Sequence, residues 1–254
     1  MLDGPHGSEL RALKAPPQEV TAAPHRAVSL IAVVSGWKPD AERWLLSAFK
    51  HTTADFEVVL LDDSGDAGIA AWLASRAAER LRVLRFDPPI GFAPAVNAGI
   101  EAATGEVCVL FDTSVELTGD AVTPLIEELR DPGIAVAGPF GLRAKNGIKE
   151  FVEADGQDVD AIEGYCLAFR RADALAAGLL DPKFRFYRIA DIDFSFRLRD
   201  AGGSARVVAG LPVTRHEHRI WESTPPAERD RLSRRNFYRF LDRWRFREDL
   251  LARQ

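Results

Sequence analysis

The feature that most constrains the fold is a series of almost uninterrupted apolar runs, Val28–Val34, Phe56–Leu61 and Val107–Phe111. Such runs, rich in β-branched residues, predict strands that are buried on both faces of a parallel sheet. Between them, apolar residues recur at helical spacing, as in residues 40–49, where Asp40 can cap a helix. Thr118 can cap a later helix that runs to about Arg130, and the sequence predicts one further strand at residues 161–169. This alternation predicts an α/β protein with a Rossmann-like, mostly parallel sheet and helices on both faces.

The chain divides by composition into an extension and one domain. Residues 1–27 are rich in proline, alanine and charge, which predicts a flexible N-terminal extension. Residues 28–254 then form the domain, with a first half at 28–130 that holds the strand–helix alternation. The second half, 131–254, ends in a long helix that begins near Pro226.

Composition excludes several classes of protein. The net charge of -5 argues against a nucleic-acid binder. No apolar run reaches the roughly 18 residues that span a bilayer, and the first 25 residues lack the apolar region of a signal peptide. Cys108 and Cys166 lie in apolar surroundings, which indicates buried thiols rather than a disulfide framework. We therefore expect a cytoplasmic protein.

Aspartates stand where two of the predicted strands end. Ligands bind at the carboxyl ends of the strands in sheets of this kind, so we expect a site there. Asp62 and Asp63 can bind a base or a ribose, although Asp-Asp-Ser-Gly also favours a simple turn. Asp112 can hold Mg²⁺ or Mn²⁺ between two phosphates, or can bond to nearby backbone amides.

Further candidates lie in the second half. Asp191, at the start of a predicted helix, can act as a general base or can stabilise the helix dipole. Asp193 and Arg197 are four residues apart, which is the spacing of a helical ion pair. His216 and His218 flank Glu217, and one of them can bind a metal ion, although two surface histidines are an equal alternative.

The C-terminal segment is strongly basic. Residues 226–254 hold nine arginines and five acidic residues. A solvated face of an amphipathic helix explains this pattern. The alternative is peripheral contact with anionic lipid headgroups at the inner face of the membrane, or with a diphosphate-linked acceptor.

Several motifs occur together and in a fixed order: Leu60-Leu61-Asp62-Asp63-Ser64, Gly91–Gly99 with Asn97 inside it, the strand that ends in Asp112, Gly164 followed by Arg170-Arg171, Tyr187–Gly202, and His216. In this order and spacing, the chain from Val28 to about Trp244 resembles the family 2 glycosyltransferases, within a rhamnosyltransferase-like subgroup.

The resemblance implies a GT-A fold, in which a nucleotide-binding half is joined to an acceptor-binding half. It also implies inverting transfer of a sugar from a UDP- or dTDP-sugar, with Mn²⁺ or Mg²⁺ as cofactor. The acceptor is a hydroxyl of a glycan, a lipid-linked acceptor or a small molecule.

The resemblance assigns roles to four groups of residues. Asp191 is the catalytic base. The nucleotide-binding residues are Asp62, Asp63 and Asn97. The metal site takes Asp112, Ser114, His216 and His218, with His216 matching the family's metal-binding histidine. The acceptor-side residues are Gly164, Tyr165, Asp193 and Arg197.

Two departures from the family pattern leave an alternative open. Ser114 replaces the second acid of an Asp-x-Asp motif, which implies weaker or water-mediated metal ligation. Ala190 replaces the acid that precedes Asp191. A catalytically silent protein that binds sugar nucleotides, or a scaffold, is therefore a second hypothesis. A sugar nucleotidyltransferase is a third, but Ser35-Gly36-Trp37-Lys38 lacks the repeated glycines that such enzymes carry after the first strand.

Overall fold

The structure is a computed structural model that describes residues 26–76, 78–154 and 156–252. Residues 1–25 of the expected extension lie outside the described part. The strands are β1 (Val28–Val34), β2 (Phe56–Asp62), β3 (Leu81–Arg85), β4 (Val107–Phe111), β5 (Val115–Leu117), β6 (Ile134–Gly138), β7 (Gly141–Lys145), β8 (Glu150–Ala154), β9 (Asp158–Val159), β10 (Ala161–Ile162), β11 (Cys166–Arg170), β12 (Ser204–Val207) and β13 (Val213–Arg215). The α-helices are α1 (Lys38–His51), α2 (Ala67–Ala74), α3 (Phe92–Ala102), α4 (Val122–Glu128), α5 (Arg171–Ala176), α6 (Ala190–Asp200), α7 (Arg219–Ser223) and α8 (Pro226–Trp244).

An eight-stranded sheet with the order β3-β2-β1-β4-β11-β6-β12-β9 forms the centre of the protein. Strands β1 to β4 run parallel to one another, and β6 runs parallel to β12. Strand β11 is antiparallel to both of its neighbours, β4 and β6. The mostly parallel sheet expected from the sequence is therefore confirmed, and the two halves of the chain share it.

Burial on both faces explains why the strand sequences are mostly apolar. Every residue of β2, β4 and β6 is buried. One apolar cluster, with Trp44 and Phe111, covers one face of the sheet. A second cluster, with Phe169 and Phe194, covers the other. Each cluster removes the apolar surface of one face of the sheet from contact with water, and this burial is the main driving force for the layered arrangement.

A third cluster fixes the C-terminal half. Strands β10, β7 and β8 form a small sheet. Phe196 of α6 packs in this third cluster with Phe240 and Trp244 of α8, with ring-centroid distances of 5.1 Å and 5.7 Å. These contacts hold the long terminal helix against α6, whose first turn carries Asp191.

Three local predictions differ from the structure. The strand predicted at 161–169 is two strands, β10 and β11, which belong to different sheets and are separated by residues 163–165. The helix predicted from Thr118 begins at Val122, because residues 115–117 form β5 against β13. Asp40 does not cap α1: it lies in the first turn and binds Arg43 and Arg219.

Candidate active site

A cleft lies at the carboxyl end of β4, as expected for a parallel sheet. It is lined by Asp112, which follows β4, by residues 163–165 between β10 and β11, and by Asp191 on α6. Phe92, Tyr187, Arg188 and His218 also line it. Segments that are far apart in the sequence therefore meet at one edge of the sheet.

Asp112 and His218 form the polar centre of the cleft. The His218 Nε2 atom is 3.1 Å from Oδ2 of Asp112. The backbone N–H of Trp221 donates to His218 Nδ1 at 3.3 Å, so Nε2 is the ring nitrogen that faces Asp112. Tyr187 stacks on the imidazole at 4.3 Å between ring centroids. The ring is therefore held in one orientation.

The surroundings of Asp112 favour its ionised form. Burial raises the pKa of this carboxyl, but the hydrogen bond from His218 and one from the Ser114 amide, at 2.8 Å, outweigh burial. The pKa of Asp112 is therefore below its ordinary value, and the group is a carboxylate at neutral pH.

His216 has a different environment from His218. Its Nε2 atom pairs with Glu116 Oε2 at 2.8 Å, and the side chain is partly exposed. It does not line the cleft. The expectation that His216 matches the metal-binding histidine is not supported by this placement, since His218 is the histidine beside Asp112.

The donor atoms around Asp112 fit a divalent cation that prefers oxygen and imidazole ligands. They are the Asp112 carboxylate, the His218 imidazole and the Ser114 hydroxyl. The Ser114 hydroxyl is buried and has no hydrogen-bond partner among the described residues. No group of three or more His, Cys, Asp or Glu residues that could hold a metal ion occurs in the described part of the chain. The set therefore fits a cation that is also bound by water or by phosphate oxygens.

Asp191 lines the same cleft as this pair. Its Oδ2 accepts a hydrogen bond from the Gly164 amide at 2.9 Å, and Oδ1 accepts one from the Ile192 amide at 2.9 Å. A Cβ at position 164 would lie 3.3 Å from the Cβ of Asp191, so glycine permits this close approach. Burial raises the pKa of Asp191 despite these hydrogen bonds, as is suitable for a general base.

Glu163 is a cleft residue that the sequence reasoning missed. It precedes Gly164 in the break between β10 and β11. Burial raises its pKa to about 7, the nearby Asp191 adds to the increase, and Arg215 opposes it. The interpretation of residues 161–169 as one strand hid this residue. Gly164 could have indicated that the strand is interrupted at Glu163-Gly164, since glycine weakens a strand interior.

Two of the predicted nucleotide-binding residues, Asp63 and Asn97, form hydrogen bonds with distant backbone segments in this structure. The two carboxylate oxygens of Asp63 accept from the amides of Ile90 and Gly91, at 2.6 Å and 3.0 Å, and hold the loop before α3. The Asn97 amide exchanges two hydrogen bonds with the backbone of Leu180. Neither residue lines the cleft, because their polar atoms are used to join distant segments.

Asp62 keeps a position near the site. It is paired with Val34 at the end of β1 and accepts a hydrogen bond from the Ser64 hydroxyl at 2.6 Å. A second pocket adjoins the cleft at Asp112 and His218 and is bordered by Ser35 and Trp37, which follow β1. Asp62 therefore belongs to the same edge of the sheet as this second pocket.

Of the predicted acceptor-side residues, Gly164 and Tyr165 line the cleft, and Asp193 and Arg197 do not. The Asp193 carboxylate is buried, accepting from Arg197 Nε at 2.5 Å and from Trp244 Nε1 at 2.8 Å. In the structure the pair joins α6 to α8. Removing one partner of such a buried pair typically costs about 3–5 kcal/mol of stability.

Comparisons with known proteins agree with this description. Residues 35–192 match the model of the family described as glycosyl transferase family 2. A search of curated proteins finds no match. The structure is similar to that of GalNAc-T7 with UDP, GalNAc and Mn²⁺, at a TM-score of 0.66 and 16% identity, over 89% of this chain and 49% of that one. It is also similar to the mannosyltransferase PcManGT from Pyrobaculum calidifontis in complex with GDP-Man and Mn²⁺, at a TM-score of 0.59 and 18% identity, over 73% of this chain and 55% of that one. The chain thus spans about half the length of these two structures, and the likeness confirms the GT-A fold class.

Proposed function

The chain belongs to glycosyl transferase family 2, and from this premise we propose that it moves a sugar from a nucleoside-diphosphate sugar to an acceptor hydroxyl, with inversion at the anomeric carbon. One observation carries the proposal. The Asp112–His218 pair, which suits a diphosphate and its cation, and Asp191, which suits a general base, line one cleft. A sugar bound between them has its leaving group on one side and its attacking hydroxyl on the other.

The donor end of the site is built from the edge of the first half. We place the nucleoside in the second pocket, beside Trp37 and near Asp62, and the diphosphate at Asp112. Asp112, Ser114 and His218 would hold Mn²⁺ or Mg²⁺, which when bound neutralises charge on the leaving diphosphate. In this arrangement residues 28–130 supply the nucleotide-binding half, and residues 131–254 supply most of the acceptor side.

The chemical step follows from the position of Asp191. Its carboxylate accepts the proton of the acceptor hydroxyl, and the acceptor oxygen attacks the anomeric carbon from the side opposite the diphosphate. A bond from the acceptor oxygen to the anomeric carbon forms as the bond to the diphosphate oxygen breaks. The Gly164 amide keeps the base oriented through its hydrogen bond to Oδ2.

We further propose a UDP- or dTDP-sugar as donor, and membership of a rhamnosyltransferase-like subgroup of the family. The solved structures that resemble the chain contain UDP in one case and GDP-Man in the other, so a GDP-sugar belongs in any test. The acceptor is a glycan, a lipid-linked acceptor or a small molecule.

Release of nucleoside diphosphate tests this function. We expect that, with Mn²⁺, one member of a panel of UDP-, dTDP- and GDP-sugars is turned over, slowly with water and faster with a glycan acceptor. Chelation of the cation by EDTA should abolish release. If the protein binds a donor but releases no nucleoside diphosphate with any acceptor, it is instead a catalytically silent binder. The departures from the family pattern at Ser114 and Ala190 favour that alternative.

We also propose that α8 contacts an anionic membrane surface at the inner face of the bilayer. None of the described helices is long and apolar enough to cross a membrane, so the contact is peripheral. Arg234 and Arg235 are exposed and have no ion-pair partner among the described residues. Tyr238 is 60% exposed on the same helix, and Phe246, just beyond its end, is 83% exposed. Arginines beside exposed aromatic rings suit the headgroup region of anionic lipids.

Co-sedimentation with vesicles tests this contact. We expect binding to phosphatidylcholine vesicles that contain 30% phosphatidylglycerol and none to pure phosphatidylcholine. The variant with Arg234→Ser and Arg235→Ser should bind the anionic vesicles about 30-fold more weakly, at about 1 kcal/mol per arginine. A control with the same charge change, Arg76→Ser and Arg130→Ser, should bind normally. Equal binding by the two variants would contradict the assignment to α8.

A further inference from the structure

Glu163 stands where two cavities meet. It lines the cleft together with Asp191 and Arg188, and the same three residues also line a neighbouring groove. Glu153, Phe151 and Phe237 border this outer groove, as we call it. A molecule in the outer groove can therefore contact Asp191, whereas Asp112 lines the cleft and not the outer groove.

The Glu163 side chain is fixed by contacts outside the groove. Arg215 Nη1 lies 3.1 Å from Glu163 Oε2. The Arg215 guanidinium in turn packs over the rings of Phe140 and Tyr165, at 4.4 Å and 5.1 Å from the centroids. The Glu163 amide donates to the Phe140 carbonyl at 2.8 Å. The carboxylate is thus held in place before any ligand binds, which lowers the cost of binding one.

One oxygen of Glu163 remains available. Arg215 contacts Oε2, and Oε1 has no hydrogen-bond partner among the described residues. The side chain as a whole is only 13% exposed, and it lines both the cleft and the outer groove. A carboxylate oxygen in such a place is a strong acceptor for a hydroxyl donor.

The charges of the outer groove limit what it can bind. Its lining holds three carboxyl groups, those of Glu153, Glu163 and Asp191, and one guanidinium, that of Arg188, while Arg215 outside the lining pairs with Glu153 and Glu163. Arg188 also packs on the Trp221 ring, at 5.2 Å from the centroid. The acidic side chains of this lining disfavour a bound phosphate or carboxylate group, whereas their oxygens can accept hydrogen bonds from hydroxyl groups. Phe151 and Phe237 offer apolar surface to the C–H faces of a sugar ring.

We propose that the outer groove binds an uncharged, hydroxyl-rich sugar as the acceptor unit, and that Glu163 accepts a hydrogen bond from a hydroxyl adjacent to the one that Asp191 deprotonates. This inference rests on the proposed transferase function and assigns its acceptor class. The acceptor unit that reacts is neutral even where a lipid diphosphate is attached further along, near the arginines of α8.

Equilibrium binding to the complex of the protein with nucleoside diphosphate and Mn²⁺ tests this inference. The probes are methyl glycosides of glucose, galactose, mannose and rhamnose, together with methyl glucuronide and glucose 6-phosphate. At least one neutral glycoside should bind, and the two charged probes should bind at least about tenfold more weakly. Glu163→Ala should weaken binding of that glycoside at least about tenfold, the loss expected for one hydrogen bond to a charged group.

Two controls separate recognition from folding. Glu163→Gln, which keeps an acceptor oxygen, should recover part of the affinity, and the exposed Glu127→Gln on α4 should have none of these effects. Binding of the nucleoside diphosphate should be unchanged in all three variants. If the nucleotide binds but no neutral glycoside does, or a charged probe binds best, or Glu163→Ala binds normally, the inference is overturned while the transferase proposal stands. If the nucleotide itself does not bind, both are overturned.

Discussion

Replacing Asp191 with asparagine should lower the rate of sugar transfer by about 1,000-fold and leave donor binding nearly unchanged. The amide has the same shape and can still accept the hydrogen bond from the Gly164 amide, which is 2.9 Å from Oδ2 in the structure. It cannot take a proton from the acceptor, and a positioned general base contributes about 100- to 10,000-fold to a rate. Single-turnover kinetics with the identified donor measures the effect.

Asp200→Asn is the matched control for this substitution. Asp200 ends the same helix, α6, and its side chain pairs with Arg247 at the surface, outside the cleft. We expect this variant to transfer sugar at the wild-type rate. An Asp191→Asn enzyme with wild-type turnover would show that another group is the base.

The second large effect concerns the cation that supports nucleotide binding. Asp112→Ala and His218→Ala should each weaken the binding of nucleoside diphosphate in Mn²⁺ by about 100-fold, since losses of even supporting residues at metal sites cost about 10- to 100-fold. His216→Ala is the matched control, because His216 pairs with Glu116 and does not line the cleft. Calorimetry with UDP, dTDP and GDP, with and without Mn²⁺, measures these affinities. Equal losses for the two histidine variants would contradict the placement of His218 at the site.

The layered sheet was predictable because its cause is local in the sequence. Strands that are buried on both faces are mostly apolar, so Val28–Val34 and Val107–Phe111 could be recognised as strands from the sequence. Once the sheet is parallel, Asp112 must lie at its carboxyl edge. The sequence likewise places Asp191 at the start of a helix, as the structure shows.

Other parts of the site depend on contacts between distant segments. Asp193 and Arg197 have the spacing of a surface ion pair. In the fold the pair is buried, and Trp244, 51 residues after Asp193, donates a hydrogen bond to the Asp193 carboxylate. The two histidines are similar in sequence context. The chain leaves β13 at Arg215 and starts α7 after His218, so this turn determines which ring points to Asp112. Glu163 was missed because it lies in a break between two strands, and the pattern of apolar residues does not reveal this break.

The thermal unfolding temperature, measured for the wild type and for Asp112→Ala with Mn²⁺ and each nucleoside-diphosphate sugar, tests most directly that the cleft binds a sugar donor. A ligand at 100 times its Kd stabilises the folded state by about 2.7 kcal/mol, which is about 5–10 °C for a domain of this size. We predict that one donor raises the Tm of the wild type by this amount and has little effect on Asp112→Ala. If no donor raises the Tm beyond Mn²⁺ alone, or if one raises both proteins equally, the assignment of the cleft is contradicted.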